Sequence, residues 1–493
     1  MFTKILIANR GEIAVRIIRT CREMGIQTVA LYQSPDRDSL HVRMADECVL
    51  LDAPDGFLDQ DAILQIAVEK RVDALHPGVG FLTERDDFIA RCEQAGIKFI
   101  GPPARIVSHM RHKLEVVESA SRAGFPTVPR SDCVVNEKDI AAVGKEAQRL
   151  GYPVIVKSCR GGRGRGSRLV MTPDRLGSAV RRAQAEALTI YGDRQVYLEK
   201  AILPAHQIGV QILADNQGKM IHLGEREGSL LSGNQKIVEE APSPCLSSAL
   251  REEIWRAALE LAALFEFENV GTVEFLLDER GNFFFTEIKP RIQIEHSLSE
   301  MLSRLDIVKE QIRLAAGEPI GMTQSDVHLL GWAMQCRISA EDPRKQYLPS
   351  PGYLQSLHLP GGSDVRVDTY LFNGCVVPIE YDPLIAKLLV WGKDRESCRL
   401  RLSRALDETR FLGISTNLSL VRRAVEQPPF VAGNYSTESS PALSVEDTAD
   451  ELLLRDLAIA AAIAYWRRRS SFQPELPDRL LSGWHRDSRR LPS

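Results

Sequence analysis

The sequence KILIANRGEIAVRIIR, residues 4–19, decides the fold class. Its apolar start, Lys4–Ala8, predicts a buried strand, and Asn9–Gly11 predicts a turn. Apolar residues then recur at helical spacing over Glu12–Met24, and Gly25 follows as a helix C-terminal signal. The stretch therefore predicts a strand, a tight turn and a helix that packs on the strand.

Strands and helices continue to alternate after this unit. A second strand is predicted at 28–32, a helix at 62–69, and further strands at 72–75 and 98–100. Alternation of this kind is typical of an α/β fold with a doubly wound parallel sheet. After Gly331 the pattern becomes rich in strands, with candidates at 332–338, 354–359, 365–367 and 384–391 before a helix at 396–408.

Length and composition limit the class of protein. A chain of 493 residues predicts roughly three domains. A hydrophobic content of 44% with 26% charged residues is typical of soluble globular proteins. The net charge of −4 provides no basic field, so we expect no nucleic-acid partner.

Neither end of the chain predicts a membrane segment. The start has too short an apolar run for a signal peptide, and the stretch 452–466 is interrupted by Arg455 and Asp456. That stretch falls short of the ~18 residues that a membrane span needs. Nine cysteines without a C-x-x-C pair favour reduced thiols in a cytoplasmic protein, and their spacing indicates neither a zinc site nor a disulfide framework.

Two glutamates on a predicted hairpin suggest chemistry. The hairpin, residues 271–288, carries Glu274 on one arm and Glu287 on the other. Two carboxylates can hold Mg²⁺ while nucleotide phosphates complete its shell. Isolated glutamates are more often solvated surface charges. Here polar and apolar residues alternate through EIKPRIQIEH, 287–296, as far as Glu295, which favours a functional site.

A glycine-rich segment, RGGRGRG at 160–166, follows a predicted strand that ends in Lys157. Closely spaced glycines let backbone N–H groups approach phosphates. Such segments are often only turns, but the position directly after this strand favours a phosphate-binding loop.

Seven motifs occur in order along the chain. They are KILIANRGEIAVRIIR at 4–19, HPGVGFLTE at 76–84, GYPVIVK at 151–157, NQKIVEEAP at 234–242, RIQIEH at 291–296, CRISAEDP at 336–343 and LPSPG at 348–352. With these motifs the sequence resembles the biotin carboxylases, the ATP-grasp subunit of acetyl-CoA and related carboxylases. The resemblance covers about residues 1–440.

The resemblance implies a three-lobed ATP-grasp architecture. We expect an N-terminal biotin carboxylase domain at 1–112, with the doubly wound parallel sheet, and an ATP-grasp domain at 113–330 with a mobile glycine-rich lid at about 130–204. A strand-rich C-terminal domain would follow at 331–440, and a linker and helical tail at 441–493.

The resemblance also implies roles for individual residues. Glu295 would be the base that deprotonates bicarbonate, and Arg337 would stabilise the biotin enolate. Bicarbonate would be held by Lys236, Arg291, Gln293 and Ile294, and Mg²⁺ (or Mn²⁺ as an alternative) by Glu274 and Glu287. The ATP-contacting residues would be Lys113, Lys157, Gly161, Gly162, Gly164, Arg165, Gly166, Glu199, Lys200, Ile202 and Leu276.

The implied activity is ATP- and bicarbonate-dependent carboxylation of biotin through carboxyphosphate, within an acyl-CoA carboxylase of fatty acid biosynthesis. The sequence lacks the A-M-K-M signature of a biotinylated module. We therefore expect biotin on a separate biotin carboxyl carrier protein, with a separate carboxyltransferase. The family resemblance also implies a homodimer or a place in a larger carboxylase complex.

Several positions depart from the family pattern. Lys289 stands where the family usually has an asparagine of the metal site, and an ammonium cannot ligate Mg²⁺. Because Lys289 lies two residues beyond Glu287 on the same side of a strand, we expect it within a few ångströms of Glu287 and Glu274. The other departures are Val79, the lid residues Arg160 and Arg163, the nucleotide-site residues Gln207 and Gly209, and the run Leu231, Ser232, Gly233 and Asn234.

Three hypotheses about function remain open at this point. The chain is an active biotin carboxylase, a catalytically impaired structural or regulatory subunit of the same complex, or another ATP-grasp ligase of the carbamoyl-phosphate type. The retained charged residues of the site favour the enzyme, and the C-terminal motifs disfavour the third hypothesis.

Overall fold

The computed structural model describes residues 1–131, 140–159, 167–233, 235–439 and 451–471. The predicted glycine loop, with Gly161, Gly162, Gly164, Arg165 and Gly166 and the departures Arg160 and Arg163, lies outside the described residues, as does Asn234. The chain divides into two units, Met1–Pro441 and Ala442–Ser493.

The first part of the chain forms a five-stranded sheet in which all neighbouring strands are parallel, in the order β3-β2-β1-β4-β5. Its elements are β1 (Lys4–Ile7), α1 (Gly11–Glu23), β2 (Gln27–Tyr32), α2 (Leu40–Met44), β3 (Glu47–Leu50), α3 (Gln60–Glu69), β4 (Ala74–His76), α4 (Asp86–Gln94), β5 (Lys98–Phe99) and α5 (Ala104–Arg111).

Side chains of β1 alternate between two hydrophobic cores. Ile5 and Ile7 pack on the face covered by α1, whereas Leu6 lies in the core that includes residues of α3 and α4. Because successive side chains of a strand point to opposite faces, a buried strand between two helix layers must be apolar on both sides. The predicted doubly wound parallel sheet is confirmed.

Four short elements of this region were not predicted, namely α2, β3, α4 and α5. The edge strand β3 is only partly buried, and α4 begins with two aspartates and buries only Phe88, Ile89 and Cys92. A short edge strand and a short, mostly polar helix produce a weak periodic signal, so tertiary contacts decide them.

The middle of the chain holds two antiparallel sheets. Its elements are α6 (Lys113–Arg122), α7 (Ile140–Leu150), β6 (Val154–Ser158), β7 (Arg168–Val170), α8 (Pro173–Tyr191), β8 (Val196–Lys200), β9 (Ala205–Ala214), β10 (Met220–Ser232), β11 (Gln235–Ala241), α9 (Ser248–Leu264), β12 (Asn269–Asp278), β13 (Phe283–Lys289), α10 (His296–Ser303) and α11 (Ile307–Ala315).

The last part of the first unit contributes mostly strands, as predicted. Its elements are β14 (Trp332–Ser339), β15 (Glu341–Asp342), β16 (Leu348–Pro349), β17 (Gly352–Tyr353), β18 (Ser356–His358), β19 (Val365–Thr369), β20 (Val376–Val377), β21 (Leu384–Gly392), α12 (Arg395–Glu408), β22 (Arg410–Leu412), α13 (Leu418–Glu426) and α14 (Pro428–Ala432). In the second unit, the described residues form α15 (Glu451–Ser471).

An eight-stranded sheet joins the middle and last parts of the first unit, in the order β13-β12-β9-β10-β11-β14-β21-β19. A smaller sheet has the order β7-β6-β8. The large sheet brings strands that are far apart in sequence side by side, and it thereby positions the residues described below. No helix in the described part of the chain has the length and hydropathy that a membrane span requires.

Candidate active site

The two glutamates of the predicted hairpin lie directly opposite each other. Glu274 of β12 pairs with Glu287 of β13, and Leu276 follows two residues after Glu274 on the same face. On the other side of β12, the β9 residues opposite Glu274 and Leu276 are Gly209 and Gln207. Two of the departures from the family pattern therefore border the predicted metal and nucleotide residues.

Two lysines form ion pairs with the Glu287 carboxylate. Lys289 Nζ lies 2.7 Å from Glu287 Oε1, and Nζ of Lys113, the first residue of α6, lies 3.0 Å from Oε2. Burial alone would raise the pKa of Glu287, but the two ammonium groups outweigh it and hold this pKa well below the ordinary value. The carboxylate is therefore ionised, and the two lysines compensate its negative charge.

Glu274 takes part in a different network. Its Oε1 accepts a hydrogen bond from Gln293 Nε2 at 2.7 Å, and Gln293 Oε1 accepts one from Arg226 at 2.8 Å. The buried Arg226 also donates to Gln211 and Thr272. We expected Lys289 beside both glutamates. The structure pairs it with Glu287, while Glu274 is bound by an amide.

Glu295 lies between two cations from neighbouring strands. Lys236 Nζ, on β11, and Arg337 NH2, on β14, are each 2.9 Å from Glu295 Oε1. Burial opposes ionisation of Glu295, but Lys236 and Arg337 lower its pKa well below the ordinary value. Burial also disfavours the Lys236 ammonium, yet the surrounding carboxylates, Glu295 first, raise its pKa to about 12.

A second carboxylate, Glu239, shares these cations. It lies 3.2 Å from Arg337 and 3.7 Å from Lys236. Burial raises its pKa above the ordinary value, although Arg337 opposes the shift. Burial therefore dominates the pKa shift of Glu239, whereas the neighbouring cations dominate that of Glu295.

Space for the Lys236 side chain depends on Gly228 of β10. A Cβ atom at Gly228 would come within 2.8 Å of Lys236 Cε, so a larger residue there would require the lysine side chain to shift.

Arg291 and Ile294 are anchored from distant parts of the chain. Arg291 Nε donates to Glu84 Oε1 at 2.7 Å. Burial would raise the pKa of Glu84, but Arg291 and Lys289 lower it. The fully buried Lys387 donates to the Ile294 carbonyl oxygen at 3.3 Å and pairs with Glu12 at 3.1 Å. These contacts hold the segment before Glu295 against the first and last parts of the unit.

The predicted nucleotide residues on the small sheet form their own pair. Lys157 of β6 contacts the buried Glu199 carboxylate of β8. Burial and Glu199 raise the pKa of Tyr197, and Glu287 adds to that shift. Lys200 directs its ammonium to the carbonyl oxygens of Gly151 and Tyr152, while Ile202 and Leu276 are half-buried.

The donor set suits a hard divalent cation. Carboxylate oxygens are the ligands that Mg²⁺ prefers, and Glu274 and Glu287 are paired across one hairpin. Lys289 and Lys113 compete for the oxygens of Glu287, so an ion would have to displace at least one ammonium. Glu274 and Glu287 therefore fit Mg²⁺, but two lysines already contact Glu287 and would compete with the ion.

Three known domain families match successive parts of the chain. Residues 1–107 match the biotin carboxylase N-terminal domain and 335–439 the biotin carboxylase C-terminal domain. Residues 112–323 match the carbamoyl-phosphate synthase L chain ATP-binding domain. The chain is 44% identical over 440 residues to the biotin carboxylase of Nostoc sp., which is 88% of this chain and 98% of that protein.

The chain belongs to the biotin carboxylases. These are ATP-dependent ligases with an ATP-grasp domain, and the enzyme class inferred from the motifs is confirmed. Another relative is a pyruvate carboxylase component of Methanothermobacter thermautotrophicus, 41% identical over 440 residues, 89% of each chain.

A solved structure has the same fold. It is the biotin carboxylase domain dimer of the Hydrogenobacter thermophilus 2-oxoglutarate carboxylase, in complex with MgADP, ADP and bicarbonate. It is 40% identical with a TM-score of 0.86, and the match covers 89% of this chain and 97% of that one. The flanking biotin carboxylase domains count against a carbamoyl-phosphate-type ligase.

Sequence reasoning did not single out four charged residues that contact the predicted residues of the candidate active site directly. They are Glu84, Arg226, Glu239 and Lys387. Glu84 and Glu239 lie inside quoted motifs, so their position was a usable signal. Arg226 and Lys387 lie outside those motifs, and their partners are remote in sequence.

Proposed function

We propose that the chain is the biotin carboxylase component of an acyl-CoA carboxylase and carboxylates biotin on a separate carrier protein, using ATP and bicarbonate. The observation that supports this most directly is the buried Glu295 carboxylate between Lys236 and Arg337, each at 2.9 Å. An ionised acid flanked by cations can accept a proton from an anionic substrate without making the pocket negative overall.

In this proposal Glu295 takes the proton of bicarbonate. Lys236 and Arg291 supply positive charge to the bicarbonate oxygens, with Gln293 and the Ile294 backbone beside them. The low pKa of Glu295 in its present ion pairs makes it a weak base. Bicarbonate binding, by drawing Lys236 towards its own negative charge, would weaken that pairing and raise the basicity of Glu295 as the substrate arrives.

The deprotonated bicarbonate oxygen then attacks the γ-phosphorus of ATP, ADP leaves, and carboxyphosphate forms. Carboxyphosphate breaks down to CO₂ and phosphate, the phosphate takes the N1′ proton of biotin, and the resulting enolate, stabilised by Arg337, attacks CO₂ through N1′. Lys113, Lys157 and the glycine loop would bind the phosphates. Glu274 and Glu287 would hold Mg²⁺, which when bound neutralises phosphate charge.

The domain division follows the same proposal, with lobes at 1–112, 113–330 and 331–440 and the tail at 441–493. The chain would work in the cytoplasm as a homodimer, or inside a carboxylase that includes a carrier and a carboxyltransferase. Relatives named for pyruvate carboxylase and 2-oxoglutarate carboxylase identify the rival final acceptors. A carboxyl-transfer assay with the co-purified transferase, offering acyl-CoA, pyruvate and 2-oxoglutarate in turn, distinguishes them.

A catalytically impaired subunit is the second candidate, because of one contact. Lys289, at a position where the family usually has an asparagine, lies 2.7 Å from Glu287. Competition for that carboxylate weakens Mg²⁺ binding, and a chain that binds Mg-nucleotide poorly would keep the fold without the turnover.

The test is ATP cleavage by the purified full chain, with and without bicarbonate and free biotin, after nucleotide titration with and without Mg²⁺. Cleavage that needs both bicarbonate and biotin supports the active enzyme. Cleavage that needs bicarbonate but ignores biotin contradicts it and favours a different acceptor. Nucleotide binding without cleavage, or no binding, supports the impaired subunit.

A further inference from the structure

A cluster of three potential metal ligands lies outside the candidate active site. Its members are His206 of β9, Glu227 of β10 and Cys245, which lies between β11 and α9. His206 Nδ1 is 3.1 Å from Glu227 Oε1, and Cys245 Sγ is 3.3 Å from Oε2. One nitrogen, one oxygen and one sulfur atom thus lie within 4.8 Å of one another.

The Glu227 side chain makes this cluster unusual, because it is fully buried. Its hydrogen-bond donors include Ser229 and the Ser243 hydroxyl, the latter at 2.6 Å. Among the described residues, the basic group within ion-pairing distance of this carboxylate is the imidazole of His206. A buried carboxylate without a fixed cation is costly, and a bound divalent ion would remove that cost.

We propose that His206, Glu227 and Cys245 bind a divalent ion of the Zn²⁺ class. Mixed imidazole, carboxylate and thiolate ligation is typical of zinc. With Zn–N of about 2.0 Å and Zn–S of about 2.3 Å, neighbouring tetrahedral ligands lie roughly 3.3–3.6 Å apart. The observed separations, 3.1 Å from Nδ1 to Oε1 and 3.3 Å from Sγ to Oε2, are close to those edges, and each of the other two ligands faces a different oxygen of the Glu227 carboxylate.

The fourth position is open to a water molecule or to the Ser243 hydroxyl, which lies 3.1 Å from Cys245 Sγ. Mg²⁺ does not compete here because it prefers oxygen ligands throughout. The Cys245 thiol donates its hydrogen to Glu227 in the metal-free chain. Binding replaces the S–H bond by a sulfur–metal bond and releases one proton to solvent.

The site would fasten β10 from the side opposite the candidate active site. Along β10, Arg226 and Gly228 flank Glu227 and point to the other face. Arg226 holds Gln293, and Gly228 makes room for Lys236. An ion that ties Glu227 to β9 and to the segment after β11 would hold these two neighbours in place, so its role is structural.

The test uses the full chain, reduced and stripped of metal, titrated with Co²⁺ in excess Mg²⁺. We expect a thiolate-to-cobalt charge-transfer band in the near ultraviolet that saturates at stoichiometric Co²⁺ and is abolished by added Zn²⁺. The band should be lost in Cys245→Ser and His206→Asn. It should persist in Cys48→Ser, since Cys48 is exposed and lies on β3.

A second measurement needs no variant at these positions. Zn²⁺ should slow alkylation of Cys245 in the parent chain, read by peptide mass spectrometry, and leave alkylation of Cys48 unchanged. No charge-transfer band, a band that survives Cys245→Ser, or Cys245 alkylation that is indifferent to Zn²⁺ would each overturn the proposal. The cluster would then be a hydrogen-bonded polar network only.

Discussion

The substitution Lys289→Asn tests whether the ammonium beside Glu287 weakens Mg²⁺ binding. Lys289 Nζ is 2.7 Å from Glu287 Oε1, and its side chain is only 9% exposed. An ion bound to the same oxygen at about 2.1 Å would lie roughly 4 Å from that nitrogen. The two cations cannot share this oxygen without strong repulsion.

The repulsion between Mg²⁺ and the Lys289 ammonium can be calculated from that distance. At about 4 Å and an effective dielectric of 20, a unit charge and a divalent ion repel by roughly 8 kcal/mol, twice the unit-pair figure. Side-chain rotation and solvent will relieve most of it. A tenfold change in affinity needs only about 1.4 kcal/mol, roughly a sixth of that figure. We therefore expect Lys289→Asn to tighten Mg²⁺ binding by ~10-fold or more.

The assay is calorimetric titration of Mg²⁺ into the chain with ADP present, followed by ATP cleavage. Lys393→Asn is the matched control, because it makes the same charge change at an exposed position just after β21. Equal Mg²⁺ affinities in the parent and Lys289→Asn would refute the competition argument. Returning Arg160 and Arg163 to glycine in the same chain tests whether the loop adds to the effect.

The proposed function leads to three further expected outcomes. Glu295→Gln should retain ATP binding but lower bicarbonate-dependent ATP cleavage by ~100-fold or more, the scale of general-base help, and an unchanged rate would remove Glu295 from the mechanism. The purified chain should carry no covalent biotin by intact mass and streptavidin probing; stoichiometric biotin would contradict a separate carrier. Sedimentation at micromolar concentration should report a homodimer, and a strictly monomeric mass would argue against the expected symmetric assembly.

Local sequence was sufficient for strands β1, β2, β4 and β5 of the N-terminal sheet and for the hairpin. Strand β1 is apolar on both faces because helices cover both, and that leaves a continuous apolar run in the sequence. Glu274 and Glu287 lie on adjacent arms of one hairpin, so period-two alternation placed them together. The same alternation predicted the contact between Lys289 and Glu287, which the structure contains.

The central strands of the large sheet have no comparable pattern of apolar and polar residues. Strand β10 is buried along most of its length, yet it carries Glu225, Arg226 and Glu227 in succession. Three consecutive charged residues resemble a solvated segment, and only their partners in neighbouring elements make their burial tolerable. A pattern of polarity therefore could not find this strand.

The site around Glu295 likewise combines residues that motifs identify with contacts that only the tertiary structure decides. Motif residues supplied the candidates, but Lys236 is 59 positions away from Glu295, and Lys236 and Arg337 flank this acid together only because β11 and β14 are neighbours in the large sheet. The cysteine spacing likewise indicated no zinc site, whereas folding brings His206, Glu227 and Cys245 together from two strands and a loop. Periodicity reports which face of an element is buried. Which charges meet across that buried face depends on the order of the strands, and long-range packing sets that order.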